Sequence, residues 1–166
     1  MVDVNKLKAF EYDVVGAIYA VHCELGPGLN ESCYQEGLQM ELTQRGIPFV
    51  REIAFPPTYR GREMESLFRL DFLCKDDIII ECKAVPELTK IHRAQLFNYM
   101  RLLKKSCGIL VNFSPFSIDP EKYFFDNDTF LTTIRIKLLA LWDKCFIINN
   151  CFSIVCNCMI KIFNKK

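Results

Sequence analysis

Hydrophobic residues recur at helical spacing through the first part of the chain. From about residue 6 to residue 25, apolar side chains fall every three or four positions, which predicts a helix that packs along one face. A Gly-Pro-Gly run at residues 26–28 stops this pattern. A second helix is predicted from Asn30, in the capping position, to about residue 45, and Gly46 ends it.

The middle of the chain changes to the patterns of extended structure. Three segments rich in apolar residues predict strands, at residues 47–55, 64–74 and 78–85. Helical spacing returns from about residue 89 to residue 105, and the apolar run at 108–113 predicts a strand buried on both faces. The order helix, three strands, helix, strand predicts an α/β fold with a mixed sheet, in which a helical crossover joins the last two strands.

The composition narrows the class of protein. A chain of 166 residues with 51% hydrophobic residues can bury the core of one domain, so disorder over most of its length is excluded. The formal net charge of +1 excludes a protein that coats nucleic acid through bulk positive charge, so any such contact needs a local basic patch. Nine cysteines and a start that lacks the apolar block of a signal peptide predict reduced thiols and a cytoplasmic location.

The tail of the chain is predicted to differ from the rest. We divide the sequence into a domain at residues 1–122 and an apolar, cysteine-rich extension at residues 123–166. Residues 145–163 match a membrane span in length, but three asparagines interrupt them, which favours a packed terminal helix or strand over a membrane anchor. A disordered extension is the remaining alternative. The tail cysteines lack C-x-x-C pairs, so an iron–sulfur cluster is not expected.

A tight hairpin is predicted to bring charged residues together. The three-residue turn after Cys74 makes this residue the neighbour of Ile78. Three residues further from the turn on each strand, Asp71 lies opposite Glu81, provided that the ladder has no bulge. Their Cβ atoms would then be about 4.5–5.5 Å apart. Lys83 lies two residues beyond Glu81, so its side chain shares that face of the sheet.

Such a group of charges suggests metal chemistry. Two carboxylates at that separation repel by about 3 kcal/mol at an effective dielectric constant of about 20. Protonation of one acid, a bound cation or the ammonium group of Lys83 would relieve the repulsion. Paired oxygen ligands suit Mg²⁺ or Mn²⁺, which also accept phosphate oxygens, so the pattern predicts phosphodiester hydrolysis. The alternative is a structural Glu81–Lys83 pair beside an unrelated aspartate at a strand end.

Other stretches resemble one known group of proteins. LGPGLNESCYQEGLQMEL at residues 25–42 resembles the signature of the GxxExxY family, in which Gly28, Glu31 and Tyr34 match directly. The later matching pieces are a Y-R-G turn, R-L-D at 69–71, I-E-C-K at 80–83, HRAQLFNYM at 92–100 and GILVNF at 108–113. That family is placed in the PD-(D/E)XK nuclease superfamily. The resemblance therefore implies a restriction-endonuclease-like core, a mixed β-sheet flanked by helices in the order αβββαβ.

The resemblance also implies a catalytic motif. Asp71, Glu81 and Lys83 match the motif of the superfamily, although Leu70 stands where its proline is expected. Glu31 matches an acid that some members place on the first core helix, where it helps to bind the metal. The alternative for Glu31, near the start of its helix, is that it only favours the helix dipole.

Three residues of the following helix are further candidates. Gln95 and Tyr99 resemble the Q-x-x-x-Y element of exonuclease-type members, and their spacing puts them on one helix face. Arg93 belongs to a basic strip along the same helix that is available for phosphate contact. The alternative for Gln95 and Tyr99 is a packed helix face without a role in the site.

Together these observations predict a metal-dependent nuclease that uses Mg²⁺ or Mn²⁺, with DNA a more expected substrate than RNA. The alternative is a non-catalytic module that retains the nuclease fold and binds nucleic acid or protein. A homodimer is a further expectation if the enzyme cuts at two ends. A membrane-tethered protein is the third hypothesis, and it rests only on residues 145–163.

Overall fold

The structure, a computed structural model, describes residues 4–125 of the chain. Its helices are α1 (Val4–Leu25), α2 (Glu31–Gln44) and α3 (Lys90–Leu103). Its strands are β1 (Phe49–Phe55), β2 (Thr58–Tyr59), β3 (Arg62–Glu63), β4 (Phe68–Cys74), β5 (Ile78–Lys83), β6 (Cys107–Asn112) and β7 (Glu121–Phe124).

Five strands form one mixed sheet in the order β1-β4-β5-β6-β7. Only β5 and β6 pair in parallel, and α3 connects them, so the predicted helical crossover is confirmed. The mixed α/β fold with helices flanking the sheet is confirmed as well. Two elements were not predicted as strands: the small β2-β3 hairpin, which lies between β1 and β4 in the chain, and β7, which pairs antiparallel with β6.

The connection between α1 and α2 depends on glycine and on a helix cap. Gly26 and Gly28 have φ angles of 65° and 102°, a left-handed conformation that other residues rarely adopt. Asn30 then caps α2, because its side-chain oxygen accepts a hydrogen bond from the backbone N–H of Cys33 at 3.0 Å. The chain reverses here within a few residues, and α2 begins immediately after the cap.

The hydrophobic core lies on both faces of the sheet. Ile78, Ile80 and Cys82 alternate along β5 and join one buried cluster with residues of α1 and α2. On the other face, α3 packs over β6 at Gly108. Every residue of β5 and of β6 is buried, as expected for parallel strands in the centre of a sheet.

The predictions for the tail lie largely outside the described residues. β7 ends at Phe124, so the predicted extension at 123–166, its membrane-span-like segment and the cysteines beyond residue 125 lie almost wholly beyond the described part. Within residues 4–125, no helix is long and apolar enough to cross a membrane. The cysteines of this part are free thiols, namely Cys23, Cys33, Cys74, Cys82 and Cys107.

The close packing of α3 on β6 can be tested with Gly108→Ala. The added Cβ would meet the Met100 sulfur and would lie 3.1 Å from a Leu96 methyl group. We expect the substitution to lower the free energy of unfolding by about 1–3 kcal/mol, measured by urea denaturation.

Gly16→Ala, in α1, is the matched control. Its Cβ would meet only the end of the flexible Arg45 side chain, at 3.0 Å, and alanine favours a helix by up to about 1 kcal/mol over glycine. Equal destabilisation by both substitutions would contradict the packing of α3 on β6.

Candidate active site

The β4-β5 hairpin brings the predicted motif to one end of the central strands of the sheet. The two strands pair antiparallel from Cys74–Ile78 to Phe72–Ile80, so the predicted register is confirmed over this stretch. Because the strands run in opposite directions, the first residues of β4 lie beside the carboxyl end of β5. Lys83, the last residue of β5, pairs in register with β6 on its other side.

The sheet is distorted at Asp71. The pairing of β1 with β4 includes Arg51–Phe72 and Ile53–Leu70 but skips the step between them, where Glu52 has a φ of 54°. The ladder between β4 and β5 also ends one step before Asp71.

The Asp71 carboxylate bonds to the backbone of β5 at this distortion. Its Oδ2 accepts a hydrogen bond from the N–H of Cys82 at 2.8 Å. The expected backbone pairing of Asp71 with Glu81 is therefore not formed. The hydrogen bond to Cys82, the residue after Glu81, nevertheless holds the Asp71 carboxylate beside β5.

Glu81 and Lys83 form a buried ion pair. The Glu81 side chain is 1% exposed, and its Oε1 lies 2.7 Å from the Lys83 Nζ. Burial, reinforced by the charge of Asp71, raises the pKa of Glu81 to about 7. For Lys83, burial acts to lower the pKa, but the charge and hydrogen bond of Glu81 outweigh it and the net shift is upward.

One oxygen of this pair lacks a hydrogen-bond partner among residues 4–125. Glu81 Oε2 is buried and accepts no hydrogen bond from any residue that the structure describes. A buried carboxylate oxygen without a donor is costly, so the position suits a ligand that brings positive charge.

The second helix contributes two side chains to the same place. Glu31, in the first turn of α2, has Oε1 3.8 Å from the Lys83 Nζ. Gln35, one turn further along, acts to lower the pKa of the Asp71 carboxyl group. Burial raises the pKa of Asp71, and the hydrogen bond from the Cys82 N–H and the polar side chain of Gln35 act against that shift. The sequence analysis missed Gln35, although its i, i+4 spacing from Glu31 places both residues on one helix face.

Tyr34 explains how Glu31 reaches the site. Its hydroxyl donates to the carbonyl of Gly26 at 2.7 Å and accepts from the N–H of Leu29 at 3.1 Å, so it bridges the loop before α2. The ring is fully buried and stacks on Phe113, with centroids 4.7 Å apart. Tyr34 therefore holds the start of α2 in place, and Glu31 is presented at the sheet edge.

Gln95 and Tyr99 lie together on α3. Gln95 Nε2 donates to the Tyr99 hydroxyl at 2.8 Å, and that hydroxyl donates to the carbonyl of Arg69 at 3.0 Å. Burial raises the pKa of Tyr99, with the hydrogen bond from Gln95 acting in the opposite direction. The pair thereby holds β4 at Arg69, two residues before Asp71.

Arg93 is engaged elsewhere. Its guanidinium forms two hydrogen bonds with Glu121 of β7, Nη2 to Oε1 at 2.5 Å and Nε to Oε2 at 2.8 Å. Bonding of this kind is bidentate and geometrically specific. The contact joins α3 to the edge strand, so phosphate binding by Arg93 would require it to leave Glu121.

The donor set suits a hard divalent cation. Asp71 and Glu81 supply carboxylate oxygens, and Glu81 Oε2 lacks a donor among the described residues. Within residues 4–125, no three His, Cys, Asp or Glu side chains converge closely enough to hold a metal on their own. A cation here would take ligands from the two acids and from water or substrate, which is the usual arrangement for Mg²⁺.

The raised pKa of Glu81 has a consequence for stability in a chelating buffer. The folded protein retains this proton up to about pH 7, whereas the unfolded chain loses it near the ordinary value of 4.5. The native state binds more protons between those values, so the free energy of unfolding should fall as the pH rises from about 5 to 7, by on the order of 1–3 kcal/mol.

Urea denaturation at several pH values measures this slope. Glu81→Gln cannot lose a proton there, so it should remove the Glu81 contribution. An identical slope in wild type and variant would show that Glu81 titrates normally.

The chain was compared with solved structures, with curated proteins and with protein families. The crystal structure of SSO0001 is similar to this chain with a TM-score of 0.45 and 20% sequence identity, covering 82% of this chain and 69% of that chain. No curated protein matches the sequence. A family profile of the PD-(D/E)XK nuclease superfamily matches residues 8–123, which include each of the predicted site residues. The chain belongs to the PD-(D/E)XK nuclease superfamily.

Proposed function

We propose that the protein is a metal-dependent nuclease of the GxxExxY group that hydrolyses phosphodiester bonds, with DNA as its substrate. Membership of the superfamily suggests a nuclease and therefore a nucleic-acid substrate. The observation that carries the proposal is the buried Glu81–Lys83 pair, with Asp71 held beside it and one Glu81 oxygen lacking a donor among the described residues.

The metal in this proposal is Mg²⁺ or Mn²⁺. PD-(D/E)XK nucleases generally use divalent metals. Asp71 and Glu81 would hold the ion. Glu31, whose Oε1 lies 3.8 Å from the Lys83 Nζ, would have to move closer to the two acids to add a third carboxylate from α2. When bound, such an ion polarises the phosphoryl group and lowers the pKa of a coordinated water.

Lys83 would contribute its positive charge and its N–H donors directly to the reaction, without binding the metal. Its ammonium group is held by Glu81 at 2.7 Å and has Glu31 at 3.8 Å. An ammonium group has three N–H donors, so those not directed at Glu81 can orient a water or stabilise charge that develops on a phosphate oxygen.

Gln95 and Tyr99 have a supporting role in this proposal. Their hydrogen bonds end on the carbonyl of Arg69, which precedes Asp71 by two residues. They position the strand that carries the first carboxylate, and they leave the acids and Lys83 to contact substrate and metal.

One observation favours the alternative, a non-catalytic binding module. Lys83 already occupies one oxygen of Glu81, and within residues 4–125 no three potential metal ligands converge. A module of this kind would bind nucleic acid or protein without hydrolysis.

Cleavage by the full-length chain tests the proposal. We expect hydrolysis of labelled DNA with Mg²⁺ or Mn²⁺ and none with a chelator. Asp71→Asn and Lys83→Gln should each lower the rate by at least about 100-fold. The first removes a carboxylate that would hold the metal, and the second removes a positive charge that would stabilise the transition state.

Asp76→Asn is the matched control for Asp71→Asn. Asp76 lies exposed in the β4-β5 turn with a φ of 61°, a conformation that asparagine also tolerates. This control should cleave at the wild-type rate. Activity that survives both site substitutions would refute the assignment of the site, and binding without hydrolysis by wild type would favour the non-catalytic module.

A further inference from the structure

The segment between β1 and β4 forms a small hairpin of its own. Thr58 pairs with Glu63 and Tyr59 with Arg62, and the N–H of Met64 extends the ribbon by donating to the carbonyl of Pro57 at 2.9 Å. The turn residues 60 and 61 have φ angles of 52° and 79°, as a two-residue hairpin turn of this type requires. We call residues 57–64 the distal hairpin.

The distal hairpin projects from the edge of the sheet that carries the candidate site. It leaves β1 after Phe55 and enters β4 at Phe68, and these two residues pair with each other. Because β4 runs antiparallel to β5, the start of β4 lies at the end of β5 where Lys83 is found. The root is fixed, since the ring of Tyr99 packs within 6 Å of the rings of both phenylalanines.

The two faces of the distal hairpin differ in charge. Tyr59 and Arg62 are directly opposed across the strands, so their side chains share one face, while Thr58 and Glu63 share the other. The guanidinium of Arg60 lies over the Tyr59 ring at 5.4 Å from its centroid. One face therefore combines two arginines with an exposed aromatic ring.

Arginines without polar partners are concentrated in this segment. Within residues 11–125, the arginines whose side chains form neither an ion pair nor a hydrogen bond are Arg60, Arg62 and Arg69. The other arginines of that range have such partners, namely Arg45, Arg51, Arg93 and Arg101. The free guanidinium groups thus lie on the distal hairpin and at its root.

We propose that the distal hairpin binds the phosphate backbone of nucleic acid beside the candidate site, through Arg60 and Arg62. The inference rests on the proposed function and names its substrate-binding surface. A guanidinium that stacks on an aromatic ring keeps its in-plane N–H groups for two-point contact with a phosphate. Tyr59 thereby positions Arg60.

The charge of the site itself makes such a surface necessary. Asp71, Glu81 and Glu31 outnumber Lys83, so without a metal the site repels a polyanion. The net charge of the chain is only +1, which gives no general attraction to compensate. Arg93, the other arginine proposed to contact phosphate, is held by Glu121. Positive groups next to the acids would offset this repulsion where the nucleic acid enters the site.

Binding of a labelled oligonucleotide by the full-length chain, measured by fluorescence anisotropy with a chelator to prevent cleavage, tests the inference. Arg62→Gln removes one charge. Arg60→Asn removes the other and keeps a residue that tolerates the left-handed turn. Each should weaken binding about threefold to tenfold and make the slope of log K against log salt less negative by about 0.7–0.9.

Two control variants separate this role from a general effect of surface charge. Glu63→Gln, on the opposite face, should bind as wild type or slightly more tightly, and Arg62→Lys should retain most of the affinity. In the cleavage assay with metal, Arg62→Gln should raise KM and leave kcat unchanged, because the inference places Arg62 against the flanking backbone and not against the reacting phosphate.

The outcomes distinguish failure of the inference from failure of the proposed function. If wild type binds and cleaves while Arg60→Asn and Arg62→Gln retain its affinity and salt dependence, the inference is wrong and the nuclease assignment stands. If wild type cleaves nucleic acid but shows no binding in the chelator, and Arg62→Gln keeps the wild-type KM, the inference is wrong and the nuclease assignment again stands. If wild type neither binds nor cleaves, both are wrong. Equal loss in Glu63→Gln and Arg62→Gln would also overturn the inference, because it would show no preference for one face.

Discussion

The burial of a carboxylate at the end of a central strand is the constraint on which the site depends. Glu81 is enclosed between β4 and β6, where an unpaired charge would be expensive. Lys83 compensates one of its oxygens, and the neighbouring Asp71 bonds to the backbone of β5. Two helices complete the surroundings of this pair: α2 brings the polar side chain of Gln35, which acts to lower the pKa of Asp71, and α3 fixes the start of β4 through Tyr99. The strand ends built this way carry excess negative charge, which favours the binding of a cation.

The sequence predicts some parts of the fold and of the site better than others. The β4-β5 hairpin was predictable because a short turn fixes register, so residue counting alone brought Asp71 near Glu81. The distortion at Asp71 was not predictable, since glutamate has no preference for the left-handed conformation that Glu52 adopts. The strand β7 was missed because four residues of mixed polarity carry little signal. Without it, the partner of Arg93 could not be foreseen.

Two residues of the G-x-x-E-x-x-Y signature, one helical turn apart on α2, have different roles. Tyr34 faces the core and ties down the preceding loop, while Glu31 faces the end of the sheet. A resemblance based on such residues cannot distinguish the two roles by itself, because both are equally visible in the sequence. Burial and hydrogen bonds distinguish them here: the tyrosine hydroxyl both donates and accepts within the loop, and the partly exposed glutamate carboxylate lies next to Lys83.

The left-handed Glu52 also affects how the sheet ends. Among the strands of residues 4–125, β1 is an outer strand, and its sequence FVREIAF is apolar enough to attract another strand along the edge that pairs with none of them. A regular edge would offer an unbroken row of N–H and C=O groups to a second chain. The kink at Glu52 breaks that row at its midpoint, and the charged side chain there is exposed. The distortion that accompanies Asp71 on one side thus guards against edge-to-edge aggregation on the other.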